Sequence, residues 1–188
     1  MEGDPQLIRA LRELGSACAA RAEAWEVLVI GGTALLLLGS TTRTTGDVDI
    51  AAIVVDGSLR RSKPLPQSLL ELGRVVAERH GLPPEWLDTN STSLLELPLP
   101  LGLLERCSTR AFGGLTLYLP AQCDLVALKL YAAASSTHPF TKHERDLRHL
   151  IGDGSHLSAA RTWCLDVAPQ LEGRVHELLS DLRKEAGQ

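Results

Sequence analysis

Apolar positions along the chain change period several times, and each change marks an element. Leu7, Ile8, Leu11 and Leu14 recur at helical spacing after Asp4-Pro5, which offers an N-cap and a proline at the first helical position. An amphipathic helix reaching toward Ala24 is expected. Val27 to Ile30 is then a continuous β-rich apolar run, read as a buried strand, and it stops at Gly31-Gly32. Thr33 to Leu38 has helix-forming composition and ends at Gly39, a suitable C-cap. After the polar stretch Ser40 to Gly46, the run Asp47 to Val55 reads as a second buried strand that opens with charge.

Beyond it, Asp56 to Pro66 is turn-rich and predicts a connection outside the core, whereas Gln67 to His80 carries Leu69, Leu70, Leu72, Val75 and Val76 at helical spacing and stops before Gly81. The prolines between Gly81 and Gly102 limit that stretch to loop and very short pieces. Two β-like runs, Arg106 to Phe112 and Leu115 to Leu119, flank Gly113-Gly114 in a hairpin pattern. Helical patterns follow over Cys123 to Ala134, Thr141 to Ile151, Ser155 to Val167 and Pro169 to Glu185. The fold class expected is α+β: a small mixed β-sheet core with flanking helices over residues 1–120, then a helical carboxy-terminal part, residues 121–188, packed on it as a single compact unit.

Composition narrows the function classes. The chain has 188 residues and a net charge of −4, so bulk electrostatics does not hold it on nucleic acid. Arg43, Arg60, Arg61 and Lys63 nevertheless cluster in segments around the second strand, which predicts a locally positive surface. Cys18, Cys107, Cys123 and Cys164 form no C-x-x-C pair, so a zinc ribbon or redox motif is not indicated, and reduced cysteines in a cytoplasmic protein are expected. No H-x-x-x-H pair and no G-x-S-x-G elbow is present. The amino terminus lacks a signal-peptide apolar region, and no apolar run approaches the ~20 residues of a membrane helix, so a soluble protein without membrane contact is expected.

The chemistry-bearing stretch is Val27 to Val55. Strand side chains alternate faces, so Asp47 and Asp49, two residues apart, point the same way. Two neighbouring carboxylates repel unless a cation lies between them, and Mg²⁺ is commonly held by one or two carboxylates with waters and substrate phosphates. Gly31-Gly32 lets backbone approach a phosphate closely, and Thr33 adds a hydroxyl. Together these residues describe a metal–nucleotide site.

The G-G-T turn with D-x-D on the next strand resembles the nucleotidyltransferase superfamily related to DNA polymerase β. The spelling LVIGGTALLLLGSTTRTTGDVDI looks most like bacterial toxin-type nucleotidyltransferases of the AbiEii and MenT kind and their relatives. GLPPEWLD, from Gly81 to Asp88, also resembles a segment common among those relatives, and the lysine-bearing stretch Asp124 to Leu130 and the acidic stretch Lys142 to Leu147 look like the family's later motifs. The resemblance implies an enzyme that moves a nucleoside monophosphate from a nucleoside triphosphate to an acceptor hydroxyl, with Mg²⁺ or Mn²⁺ on Asp47 and Asp49. Gly31, Gly32, Thr33, Arg43 and Lys129 would bind nucleotide, and Lys129 and Asp146 would join the two aspartates in catalysis. It further implies a tRNA 3′ end as acceptor and a toxin role beside a cognate antitoxin. A protein- or small-molecule-modifying transferase with the same core, and an inactive fold member serving as a binding partner, remain alternatives. Polymerase-type sites place a third carboxylate on a later strand, and neither β-like run after residue 105 supplies one. Asp88, Asp124 and Asp146 are the substitutes in view.

Overall fold

The computed structural model describes residues 5–41, 45–136, 142–151 and 154–186. It is a mixed α+β structure divided into two compact units, Met1–Pro120 and Ala121–Gln188.

The first unit is built on a six-stranded mixed sheet. Helix α1 (Pro5–Ala20) leads into β1 (Trp25–Ile30), the short helix α2 (Gly31–Leu37) and β2 (Val48–Val55). A tight turn gives β3 (Ser58–Arg61), followed by α3 (Gln67–His80), the two-residue β4 (Leu87–Asp88), a 3-10 segment (Asn90–Glu96), and the hairpin of β5 (Ser108–Phe112) and β6 (Leu115–Leu119). Spatial order is β3-β2-β1-β6-β5, with β4 also paired to β2. Strand β1 runs antiparallel to β2 and parallel to β6. One sheet face meets α1 and α3, where Leu11, Leu14 and Leu69 converge on Val27, Ile50 and Leu117. These side chains are fully or nearly fully buried, so the helical stripes read from the sequence close this layer by removing apolar surface from water.

Several boundaries differ from the sequence reading. Helix α1 ends at Ala20, where Ala22 adopts a positive φ of 54°, four residues short of the expected limit. Strand β2 starts at Val48, leaving Asp47 immediately before it. The expected connection Asp56 to Pro66 contains a strand: Ser58–Arg61 pairs antiparallel with Ala52–Val55. Its polar composition hid it, because an edge strand exposed over most of its length needs no apolar alternation.

The segment before β4 is anchored by Trp86, whose indole N–H donates to the Gly73 carbonyl of α3 at 2.9 Å while the ring is buried. Gly73 also leaves room for Leu87, since a Cβ there would lie 2.8 Å from a Leu87 methyl. Val48 N–H in turn donates to the Trp86 carbonyl at 2.6 Å, which draws Leu87–Asp88 alongside the start of β2.

The second unit is helical: α4 (Gln122–Ser135), α5 (Lys142–Leu150), α6 (Leu157–Val167), a 3-10 turn (Pro169–Leu171) and α7 (Glu172–Ala186). Leu125, Val126, Leu130, Leu147, Cys164 and Val175 are buried, and Tyr131 meets Trp163 edge-on with ring centroids 6.1 Å apart. The proline expected to open the last helix instead belongs to the 3-10 turn that precedes it. Among the described residues no helix is long and apolar enough to cross a membrane.

Candidate active site

The glycine turn and the second strand meet at Asp49. Gly31 has φ +70°, a left-handed conformation that disfavours any side chain, and a Cβ there would lie 1.8 Å from Asp49 Oδ2. The Asp49 carboxylate therefore rests directly over the Gly31 backbone. Register explains the approach, because Ile30 pairs with Asp49 across the β1–β2 ladder, and an irregularity at Leu28/Val29 resets the pairing just before the turn. Helix α2 then closes with two backbone bonds, Gly39 N–H to Leu36 at 3.1 Å and Ser40 N–H to Leu35 at 2.8 Å. This is a Schellman ending with Gly39 in the left-handed position, so the glycine read as a stop signal performs that role.

Asp47 is held by two threonine hydroxyls. Thr33 Oγ1 donates to the Asp47 main-chain carbonyl at 2.5 Å, from a side chain with no solvent exposure. Thr45 Oγ1 donates to the Asp47 carboxylate, at 2.6 Å from Oδ1. Sequence reasoning gave Thr33 to phosphate and did not single out Thr45; here both hydroxyls serve Asp47. The place of Thr45 two residues before Asp47 was the available signal.

Asp88 stands in parallel register with Asp49 across the β2–β4 pair, so their side chains leave the sheet on the same side. Its Oδ1 accepts the Asn90 backbone N–H at 2.8 Å. A two-residue strand inside a proline-rich stretch offers no periodicity to read, which is why only the general need for a third carboxylate brought Asp88 forward. Arg43, expected to clamp phosphate, lies outside the described residues. Of the basic residues expected beside it, Arg61 pairs with Glu96 at 3.1 Å, Lys63 donates to Asn90 at 3.3 Å, and Arg60 is exposed on β3.

Within the helical unit, Lys129 and Asp146 are bonded to each other, Nζ to Oδ2 at 2.6 Å, and each is 6 % exposed. Lys129 is thus a buried residue of α4, and Asp146 is buried on α5 despite the charged sequence KHERDLRHL around it. Helix α5 buries Glu144 as well, which accepts from Arg174 of α7 at 2.7 Å. His143 lies in the same charged surroundings: burial first, then the Lys129 and Lys142 charges, push its imidazole down to about 4, against the smaller opposing pull of Asp146.

The donor set at β2 suits a hard divalent cation. Mg²⁺ takes oxygen ligands and commonly uses one or two carboxylates, completing its shell with water and phosphate, so Asp47 and Asp49 fit it. Among the described residues no three His, Cys, Asp or Glu side chains are gathered as a complete protein cage, and a closed zinc-type site is not formed.

Residues 6–139 match the model of a family described as "Nucleotidyltransferase of unknown function (DUF6036)". The chain belongs to this nucleotidyltransferase family. The matched span contains the glycine turn, both threonines, Asp47, Asp49, Asp88 and Lys129, and stops before Asp146. No curated protein and no solved structure matches the chain. The family supports transfer of a nucleotidyl group from a nucleoside triphosphate.

Proposed function

We propose that the protein is a metal-dependent nucleotidyltransferase that attaches a nucleoside monophosphate to the 3′ end of a transfer RNA and acts as the toxin of a toxin–antitoxin pair. The observation that carries the catalytic part is the placement of Asp49 against Gly31, with Asp47 two residues before it and Asp88 in register beside it. Asp47 and Asp49 would hold Mg²⁺ or Mn²⁺, which when bound supplies charge stabilisation on the reacting phosphate. Gly31, Gly32 and Thr33 are assigned to the outer phosphates of the nucleoside triphosphate through the resemblance of the G-G-T motif.

In the transfer, the acceptor hydroxyl oxygen bonds to the α-phosphorus, the bond to pyrophosphate breaks, and Asp88 takes the hydroxyl proton on the oxygen not engaged by Asn90. The position of Asp88 beside Asp49, on a short strand outside the β5–β6 hairpin, supports its choice as general base. Lys129 and Asp146 are assigned to the transfer through the resemblance of their motifs, Lys129 as a cation for phosphate. The acceptor and the toxin role rest on the likeness to AbiEii- and MenT-type enzymes, and Arg60, exposed on β3, is a cation suited to an RNA backbone.

The test is incubation with Mg²⁺, each α-labelled nucleoside triphosphate and total cellular RNA or total protein, resolved on gels. Label in the tRNA band, lost after Asp88→Asn, is expected. Label in a protein band would replace tRNA with a protein acceptor, and an Asp88→Asn enzyme of unchanged rate would remove Asp88 as the base.

A further inference from the structure

We infer that Thr45 is a positioning residue that orients the Asp47 carboxylate for the divalent cation, an inference that rests on the metal-dependent reading of this site. Asp47 precedes β2, so the ladder bonds that hold Asp49 do not hold it. An aspartate at such a position would sample several rotamers. Two hydroxyls supply the missing constraint. Thr33, fully buried at the start of α2, fixes the Asp47 carbonyl and thereby the backbone from which the side chain departs. Thr45 fixes the side chain itself, because its hydroxyl proton occupies one lone pair of Oδ1 at 2.6 Å. The second carboxylate oxygen then has a set direction.

The chemistry explains why a hydroxyl is the suitable group here. An O–H donor to a carboxylate is short and charge-assisted, yet it adds no cation that would compete with a bound metal for the negative charge. A lysine or arginine in the same place would neutralise the ligand. Partners of this kind set the orientation of ligating groups, and their loss typically weakens metal binding about 10- to 100-fold. Thr45 is only partly buried, so removing its hydroxyl should spare the fold.

The test is Mn²⁺ binding, read from the electron paramagnetic resonance signal of free Mn²⁺ with the full-length chain and each nucleoside triphosphate in turn. Wild type, Thr45→Val, Thr45→Ser and Asp47→Asn are compared, with thermal melts alongside. Thr45→Val is isosteric and cannot donate; it should weaken Mn²⁺ binding about 10-fold or more with an unchanged melt, while Thr45→Ser should stay close to wild type. Equal binding by wild type and Thr45→Val would overturn the inference while leaving the metal site standing. Retention of Mn²⁺ by Asp47→Asn, or no binding by wild type, would refute the metal-dependent reading and with it any role for Thr45.

Discussion

At the scale of single residues, two glycines of the α2 unit separate backbone need from site need. Gly31 and Gly39 both have positive φ, but a Cβ at Gly39 meets nothing within 4 Å whereas one at Gly31 would collide with the Asp49 carboxylate. Gly39→Ala should therefore cost only the left-handed penalty, about 1 kcal/mol in a urea melt, and keep nucleotidyl transfer. Gly31→Ala should lose both stability and transfer, because Asp49 must move; an active Gly31→Ala enzyme would show that the carboxylate does not need its seat over the turn. These residues were legible in the sequence because turn chemistry is local: G-G after an apolar run and D-x-D opening another are each specified within a few residues. Thr45 and Asp88 were less legible. Thr45 depends on a side-chain rotamer, and Asp88 depends on the distant Trp86–Gly73 contact that brings its strand to β2.

At the scale of elements, buried charge is the feature that sequence patterning misjudged. The stretch Lys142–Leu150 reads as a surface helix, yet it buries Glu144 and Asp146 because α4 and α7 supply Lys129 and Arg174 as partners. Partner choice across helices has no signature in one helix's own spacing. A buried pair exchanges desolvation for mutual attraction, so losing one member costs more than losing both. Lys129→Met should destabilise by about 3–5 kcal/mol in urea unfolding, while the Lys129→Met/Asp146→Leu double variant should recover most of that loss. If the two residues also act in the transfer, the recovered double variant will be folded and inactive; full activity would make the pair a tie between α4 and α5 and nothing more.

His143 gives the same region a pH dependence. Its imidazole is held down to about 4 from the usual 6.5, so between those values the unfolded chain binds the extra proton and the folded chain does not. Its contribution to stability is intact above about pH 6.5 and is lost progressively as pH falls toward 4. Replacement by Gln should flatten that part of the melting-temperature profile relative to wild type, and superimposable profiles would contradict the burial of His143.

At the scale of the whole molecule, the α+β class and the order of strands and helices followed from changes of hydrophobic period, and the main omission was β3, an exposed edge strand whose polar residues carry no such period. The acidic total also shapes the functional reading: with a net charge of −4, any RNA affinity must come from local cations such as Arg60. Binding of transfer RNA should therefore weaken steeply between low and physiological salt, and Arg60→Ala should make the dependence shallower; salt-insensitive binding would exclude phosphate contacts as its source. The central claim, that the carboxylates at the mouth of β2 carry a nucleotidyl transfer, is tested most directly by supplying one nucleoside triphosphate labelled at the α-phosphate and, separately, at the γ-phosphate, to wild type and to Asp47→Asn. Wild type should place α-label, and no γ-label, on the acceptor with release of pyrophosphate, and Asp47→Asn should fold normally yet lose about 100-fold or more of the rate. Transfer of γ-label, or an Asp47→Asn enzyme as active as wild type, would contradict it.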